Sequence, residues 1–596
     1  MKSLSRLAYA LLLDCGKQCD ITTTRDWKTV ARRVELEGES FLTITLPAFA
    51  KDFDRSLSLG AVADDAFAGF SRTRGLPRFL GGFLRQVFSS GSGMLLDTPS
   101  YDAIRAVRQF TMAFGKLKEG TTPEREADAF AAYVKCDNEV RSHVVPSLAR
   151  SEFRDHAKWL YSDIFNEVEQ VVNQYELVPK HGSGAVQEGI HGNEKYKLMS
   201  WHERLQAYFP WDRYLISSPR WASEVEDTVT VLPPELEPPL KVISVPKTKK
   251  TPRIIAEEPT AMQYMQQSLM RELVPRLERK FRGSIGFTSQ LRNQEYARKG
   301  SIDGSYATLD LSEASDRVSL CAVEDLLSSN RTVRGAILAC RSSHAHVPGY
   351  APFELAKFAS MGSALCFPIE AMVFFTILSI SAAQSYNLPR GHRLTAVLRE
   401  VTVYGDDIIV PAQMADKVRS NLELFGLKVN VTKSFTVGNF RESCGGDYFR
   451  GQDVTPYRIR SRPFADSADA TRLPGLVALH NFAFERGHEN VVSFLVQGIR
   501  REMKPLFAPA GVDVCALWSY DDSLPIYRVN PRLQRREVAV WQESSVIPRS
   551  PLDGPSALMK FHLARLVSSH PGGEDAFERC GRPRTVRTIR GWSAVT

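Results

Sequence analysis

Val401-Thr402-Val403-Tyr404-Gly405-Asp406-Asp407-Ile408-Ile409-Val410 is the stretch from which the fold can be read. β-Branched and apolar residues flank a Gly-Asp pair, which predicts two short strands joined by a tight turn. Two adjacent carboxylates then stand at a hairpin tip. Like charges this close repel unless cations neutralise them, and hard divalent metals favour such oxygen ligands. A plain polar turn uses the same residues for backbone geometry alone. Other segments must separate the two readings.

The chain has 596 residues, enough for several cores and about three or four domain-sized units. With 43% hydrophobic and 24% charged residues, a disordered or fibrous chain is excluded. Lys and Arg number 76 against 68 Asp and Glu, a net charge of +8 that permits a polyanionic partner without requiring one. Nine cysteines, an odd number without repeated spacing, read as reduced thiols. Cys15 and Cys19 lack a second Cys or His pair at zinc spacing, and His344 and His346 read as loop or strand residues. Lys2 and Arg6 ahead of Leu7 to Leu13 imitate a signal peptide, but Asp14 ends the run and no small-x-small site follows, so an amphipathic first helix is expected. The apolar run from Ala364 to Ala383 approaches the ~20 residues that span a bilayer. Pro368 and Glu370 lie within it and no basic flank marks it, so a buried core helix is expected rather than a membrane span.

Along the chain, Phe153 to Val172 has helical spacing of apolar residues. His181-Gly182-Ser183-Gly184 reads as a connector, with a phosphate cradle as the sharper alternative. Leu232 to Pro239 is a proline-rich link. Val242 to Val245 and Ile254 to Ala256 flank the basic tip Pro246-Lys247-Thr248-Lys249-Lys250-Thr251-Pro252-Arg253, either a solvated hairpin end or a site for a triphosphate. Tyr306 to Leu309 reads as a strand ending at Asp310. The sequence after it reads as a helix that Asp310 could cap, with Glu313 as reciprocal partner. Ala359 to Ser363 is a small-residue loop before the apolar helix. A helix over about 414–424 stops at Gly426, a strand from Lys428 delivers Lys433, and Phe440 to Gly451 suggests a glycine-turned hairpin. From about Ala465 onward the pattern is mainly helical. A basic stretch with Arg582, Arg584, Arg587 and Arg590 closes the chain.

In this order the segments resemble the motifs of RNA-dependent RNA polymerases, and most closely the replicase (beta) subunit of the levivirus-like RNA bacteriophages. The resemblance rests on Val245-Pro246-Lys247 through Arg253 to Glu258-Pro259, Asn293-Gln294, Ala307 to Ser312 with Ala314-Ser315-Asp316, Ser360-Met361-Gly362, Tyr404 to Ile409, Phe440 to Gly445 and Asp453-Val454-Thr455-Pro456. It is strong over about 241–460 and weak outside.

The resemblance implies an α+β right-hand polymerase of palm, fingers and thumb, with an antiparallel palm sheet backed by helices. Its expected division is 1–200 contributing to the fingers, 201–300 fingers with the basic hairpin, 301–460 palm, and 461–596 thumb and C-terminal region. The implied activity is template-directed, primer-independent RNA synthesis from ribonucleoside triphosphates on single-stranded RNA. In such chemistry two Mg²⁺ ions, with Mn²⁺ as a substitute, lie roughly 3.5–4 Å apart and clamp the attacking and leaving oxygens. By resemblance Asp310 and Asp406 are the principal metal ligands, with Asp407 and the Leu311 backbone carbonyl in support. Lys433 protonates the leaving pyrophosphate or sits near it. Lys247, Lys249, Lys250 and Arg253 meet the triphosphate, Asp316 reads the ribose hydroxyls, and Ser360, Gly362 and Ser363 complete the nucleotide site. The family also implies host partners, namely elongation factors Tu and Ts and a small-subunit ribosomal protein, with the nascent RNA and template in the bacterial cytoplasm and no membrane. One departure stands out: the phage loop reads Ser-Met-Gly-Asn, whereas this chain has Ser363 in the last position, a shorter group with one hydroxyl. A reverse transcriptase would share the paired aspartates, although Asp316 and residues 440–456 argue against it; a non-enzymatic RNA-binding protein would need the carboxylates only as turn and cap residues.

Overall fold

The computed structural model describes residues 2–464, 472–546, 552–568 and 585–595. At its centre, strand Tyr306–Ser312 pairs on one side with Asp407–Pro411 and on the other with Lys428–Val429, and Thr402–Tyr404 pairs on the outside of Asp407–Pro411. All three pairings are antiparallel. The sheet is buried on both sides, so its strands are apolar almost throughout instead of alternating. Ala307, Leu309, Leu311, Ile408 and Val410 face the larger core with helix Cys366–Tyr386. Tyr306 and Ile409 turn the other way onto Ala297 of helix Leu291–Asp303. The expected antiparallel sheet backed by helices is therefore present, in an α+β chain.

Helix Cys366–Tyr386 is long and apolar enough to cross a membrane, with mean hydropathy 1.8, yet 83% of its apolar window is buried against the rest of the protein. It is the core helix expected from Pro368 and Glu370. The basic hairpin forms too: Leu240–Val245 and Arg253–Glu257 pair antiparallel, with Val245 opposite Arg253. Strand His344–His346 lies parallel beside Leu240–Val245. A small core under this sheet takes Phe130 and Tyr133 from helix Pro123–Ser142.

Two large cores divide the rest. One runs from Phe153 to Leu427, takes in Leu563 as well, and holds the central sheet. The other joins Leu4 through Leu117 to Phe435 through Leu517, with Ala539 and Trp541. The two ends of the chain thus share a core. The Asp14 carboxylate, on helix Lys2–Gln18, accepts hydrogen bonds from the Asn490 and Val491 amides at the start of helix Glu489–Glu502, both at 2.9 Å. This satisfies amides that a helix start leaves unpaired. Core membership changes between Leu117 and Phe153, inside the stretch 1–200 that the sequence treats as one unit.

Three local readings differ from the structure. The central strand continues past Asp310 to Ser312, because Lys428 and Val429 pair with Ser312 and Leu311; Asp310 caps no helix. The next helix is only Leu320–Leu326, and Ser319 caps it, its hydroxyl accepting from the Ala322 amide. Beyond Met503 the chain is not mainly helical: Tyr527–Asn530, Arg535–Val546 and Thr585–Ala594 form an antiparallel sheet. Its last strand arrives from the end of the chain, and pairing at that separation leaves no local signature. Arg587 and Arg590 lie on that strand; Arg582 and Arg584 lie outside the described residues.

Candidate active site

Tyr404 pairs with Asp407, which leaves Gly405 and Asp406 as a two-residue hairpin loop. Gly405 has φ +59°, and a Cβ there would lie 2.8 Å from the Phe367 ring, so both backbone and space require glycine. Asp406 is exposed at the tip, and Asp407 is half-buried. Asp407 lies directly opposite Asp310, so their side chains share a sheet face. The turn and strand thus put Asp310 and Asp407 on one face, with Asp406 at the adjoining tip.

Their partners are specific. Asp310 Oδ2 accepts from Asn430 Nδ2 at 2.8 Å, and Oδ1 accepts from the Lys433 ammonium at 3.3 Å. Ser443 Oγ donates to Asp407 Oδ1 at 3.3 Å. Burial, then the neighbouring Asp406 charge, push the Asp407 carboxyl up to about 6. Burial also raises Asp310, with Lys433 opposing and Asp406 adding to the rise. Crowded like charges held out of water are a place where a cation stabilises the fold. An all-oxygen donor set on two strands suits Mg²⁺, which keeps several waters and so needs few protein ligands. Among the described residues no group of three or more His, Cys, Asp or Glu side chains is gathered closely enough in this conformation to hold a metal ion. In this conformation Asn430 and Lys433 hold the Asp310 oxygens.

Lysines surround these acids. Lys247 and Lys250 are exposed on the basic tip, and Arg253 begins the strand beyond it, also exposed. Burial, then Arg253 and Lys433, lower the Lys247 ammonium, while Asp406 and Asp310 act on it in the opposite sense. Lys249 leaves this group: its ammonium contacts Glu39 at 3.2 Å and Glu119 at 2.6 Å, and Arg462 binds the same two carboxylates. Two cations that sequence reasoning missed come from the N-terminal region. Lys51 feels Lys250, Lys433 and Asp310, and Lys116 feels Arg458, Glu442 and Lys433. Both sit in ordinary helical or loop sequence, which carries no signal of what they face.

The Ser360 loop docks on the basic hairpin. The Ala256 amide donates to the Met361 carbonyl at 2.8 Å, Gly362 has φ +136°, and a Cβ on it would lie 1.9 Å from the Ala256 carbonyl oxygen. Ser363 Oγ donates to Gln266 Oε1 at 3.1 Å. Ser360 is buried, its hydroxyl 2.6 Å from that of Tyr133. Asp316 Oδ1 accepts from the buried Lys357 ammonium at 2.9 Å. Glu370, on the apolar helix, is pushed far up by burial and then by Asp406 and Asp316. A lone carboxyl in so apolar a run was the visible signal for it. Leu311 faces Val429 with its side chain buried. At the Gly182 to Gly184 loop the carbonyls of both glycines accept from the Lys195 ammonium; that lysine stands where a cradled phosphate would need amide donors.

Residues 225–475 match the family described as RNA replicase, beta-chain. The RNA-directed RNA polymerase beta chain of Enterobacteria phage fr is 37% identical over 226 residues, 38% of this chain and 38% of that one. The corresponding beta subunit of Escherichia virus Qbeta is 36% identical over 228 residues, 38% of this chain and 36% of that one. That of Escherichia phage MS2 is 35% identical over 222 residues, 37% of each. The similarity thus spans little more than a third of these relatives' own length. A solved chain from an "RdRp complex" overlaps at TM-score 0.39 and 12% identity, covering 67% of this chain and 38% of that one. The matched segment contains Lys247, Asp310, Asp316, the Ser360 loop, Asp406, Asp407 and Lys433, so the similarity to the RNA replicase beta-chain family takes in the whole candidate site.

Proposed function

We propose that the chain is the catalytic beta subunit of an RNA bacteriophage replicase, which copies single-stranded RNA from ribonucleoside triphosphates without a primer. The observation that carries this reading is the register of Asp407 against Asp310, with Asp406 at the adjoining tip and Lys247 within reach of the charges of both Asp310 and Asp406. Two bound Mg²⁺ ions, or Mn²⁺ in their place, would neutralise charge on the attacking and leaving oxygens of an in-line displacement at phosphorus. Asp310 and Asp406 would hold them, with Asp407 and the Leu311 carbonyl in support.

The other roles belong to side chains. Lys247, Lys250 and Arg253 bind the triphosphate oxygens, Arg253 through its planar fork. Lys433 holds a proton beside Asp310, where it can pass to the departing pyrophosphate. Asp316 accepts a hydrogen bond from the ribose 2′-hydroxyl, and Ser360, Gly362 and Ser363 shape the same pocket. Lys249, paired to Glu39 and Glu119, contributes to the site through the position of the tip. Residues 201–300 form the fingers with part of 1–200, 301–460 the palm, and 461–596 the thumb with the C-terminal region. Template and nascent RNA, host elongation factors Tu and Ts and a small-subunit ribosomal protein are the partners, in the cytoplasm of the infected bacterium.

The test is RNA synthesis by the full chain with RNA, four ribonucleotides and Mg²⁺, with and without bacterial extract to supply host subunits. Wild type should synthesise RNA, and Asp310→Ala and Asp406→Asn should not. Robust synthesis by either variant overturns the metal assignment. Preference for deoxyribonucleotides on the same template would instead identify a reverse transcriptase.

A further inference from the structure

Lys357, beside the site, is a fully buried charged group, with a side chain 0% accessible. Its backbone is held from two sides. The Ala356 and Lys357 amides donate to the Asp137 carboxylate at 3.1 Å, and the Arg341 guanidinium donates to the carbonyls of Leu355, Lys357 and Phe358 at 2.8–2.9 Å. Its ammonium lies 3.3 Å from the centre of the Tyr133 ring and donates to Asp316 Oδ1 at 2.9 Å. The Tyr133 hydroxyl in turn meets Ser360 Oγ. Burial works against the charge, and Asp316 together with Tyr133 and Cys136 more than offsets it, so the ammonium stays protonated above its ordinary range. Among the described residues the second oxygen of Asp316 accepts no hydrogen bond, and the carboxylate remains 22% exposed.

An ammonium buried this deeply is costly unless it does something for its partner. Here it pins one oxygen of a half-exposed carboxylate and leaves the other as an acceptor. It also links that carboxylate, through an aromatic face, to the loop in which Ser363 stands. Ser363 donates to Gln266, so its hydroxyl is already engaged. We infer that Lys357 is the positioning residue for sugar selection: held against Tyr133, it fixes Asp316 so that its free oxygen accepts the 2′-hydroxyl of an incoming ribonucleotide, and Tyr133 with Ser360 couples that acceptor to the nucleotide loop. The inference rests on the polymerase reading of the same site. Tyr133 lies outside the matched segment 225–475, so this part of the selection device is assembled from the N-terminal region.

The experiment is a double-mutant cycle with Lys357→Met, Asp316→Asn and the double variant. Two ratios are read, kcat/KM for UTP over dUTP on one RNA template, and the equilibrium affinity for ATP over dATP in Mg²⁺. Each single variant should lower both ratios by about tenfold, the loss of one charged hydrogen bond. The double variant should lose no more than Asp316→Asn alone, because Lys357 acts through Asp316. Ratios within twofold of wild type in Lys357→Met, or additive losses in the double, overturn the inference. Should Lys357→Met fail to fold, Tyr133→Phe decides, since it keeps the ring and removes only the hydroxyl bond to Ser360: a lowered ratio supports the inference and an unchanged one overturns it. If wild type makes no RNA, the polymerase reading falls, and the affinity ratio still judges Lys357.

Discussion

The Gly-Asp-Asp hairpin and the basic hairpin are both strand-turn-strand tips that carry charge, yet they behave differently. In the first, two residues close the loop and register puts Asp407 against Asp310. In the second, residues 246–252 separate Val245 from its partner Arg253, and the lysines divide. Lys247 feels the charges of Asp406 and Asp310, and Lys249 turns to Glu39 and Glu119, which Arg462 also binds. A short loop with short side chains leaves few conformations, so backbone pairing decides where its charge goes. Longer loops with flexible lysines leave that choice to whichever acids pack nearby.

This contrast can be broken by substitution. The largest effect is expected at the short tip, where Asp406→Asn should lower RNA synthesis about a thousandfold, about 4 kcal/mol of barrier, with the thermal midpoint little changed. Gly362→Ala should destabilise the chain by about 2–4 kcal/mol in urea unfolding, since the new Cβ would meet the Ala256 carbonyl at a left-handed backbone position. At the long tip the lysines should separate. Lys247→Ala should raise KM for nucleotides about tenfold, the worth of one charged contact, without loss of stability. Lys249→Ala should cost about 1 kcal/mol of stability, as for a partly exposed ion network, and change KM less than twofold. Equal effects on KM would abolish the distinction between them.

The smallest effect is on pH. The Asp407 carboxyl titrates near 6 in the folded chain against an ordinary 3.8. Between those values the folded chain holds a proton that the unfolded chain has released. This group's contribution to stability is therefore present at low pH and lost as pH rises through about 6. A bound divalent cation would relieve that loss, so the Mg²⁺-induced rise in thermal midpoint should be larger at pH 7.5 than at pH 5. An equal rise at both would remove Asp407 from the metal site.

Much of the palm was legible because its signals are local. The Gly-Asp turn, the apolar strands around it, the buried helix with Pro368 and the stop at Gly426 each depend on residues a few positions apart. Asp310 was legible as a strand residue, but its strand ends two residues later than the pattern suggests, because Lys428 and Val429 extend the ladder from more than a hundred residues away. The C-terminal sheet was hidden for the same reason, since Arg535–Val546 finds its partner in Thr585–Ala594.

What the sequence alone determined is the chemistry of this protein: a basic loop, then a strand bearing Asp310, then an acidic hairpin tip, since turn geometry and strand propensity follow from neighbouring residue types. What only the tertiary structure decided is which distant side chains complete the site. Lys51 and Tyr133 reach it from the N-terminal region, Lys357 closes on Asp316, and Lys249 leaves for Glu39. These contacts join residues 41 to 227 positions apart, and their formation depends on how whole elements pack rather than on any preference of the residues themselves.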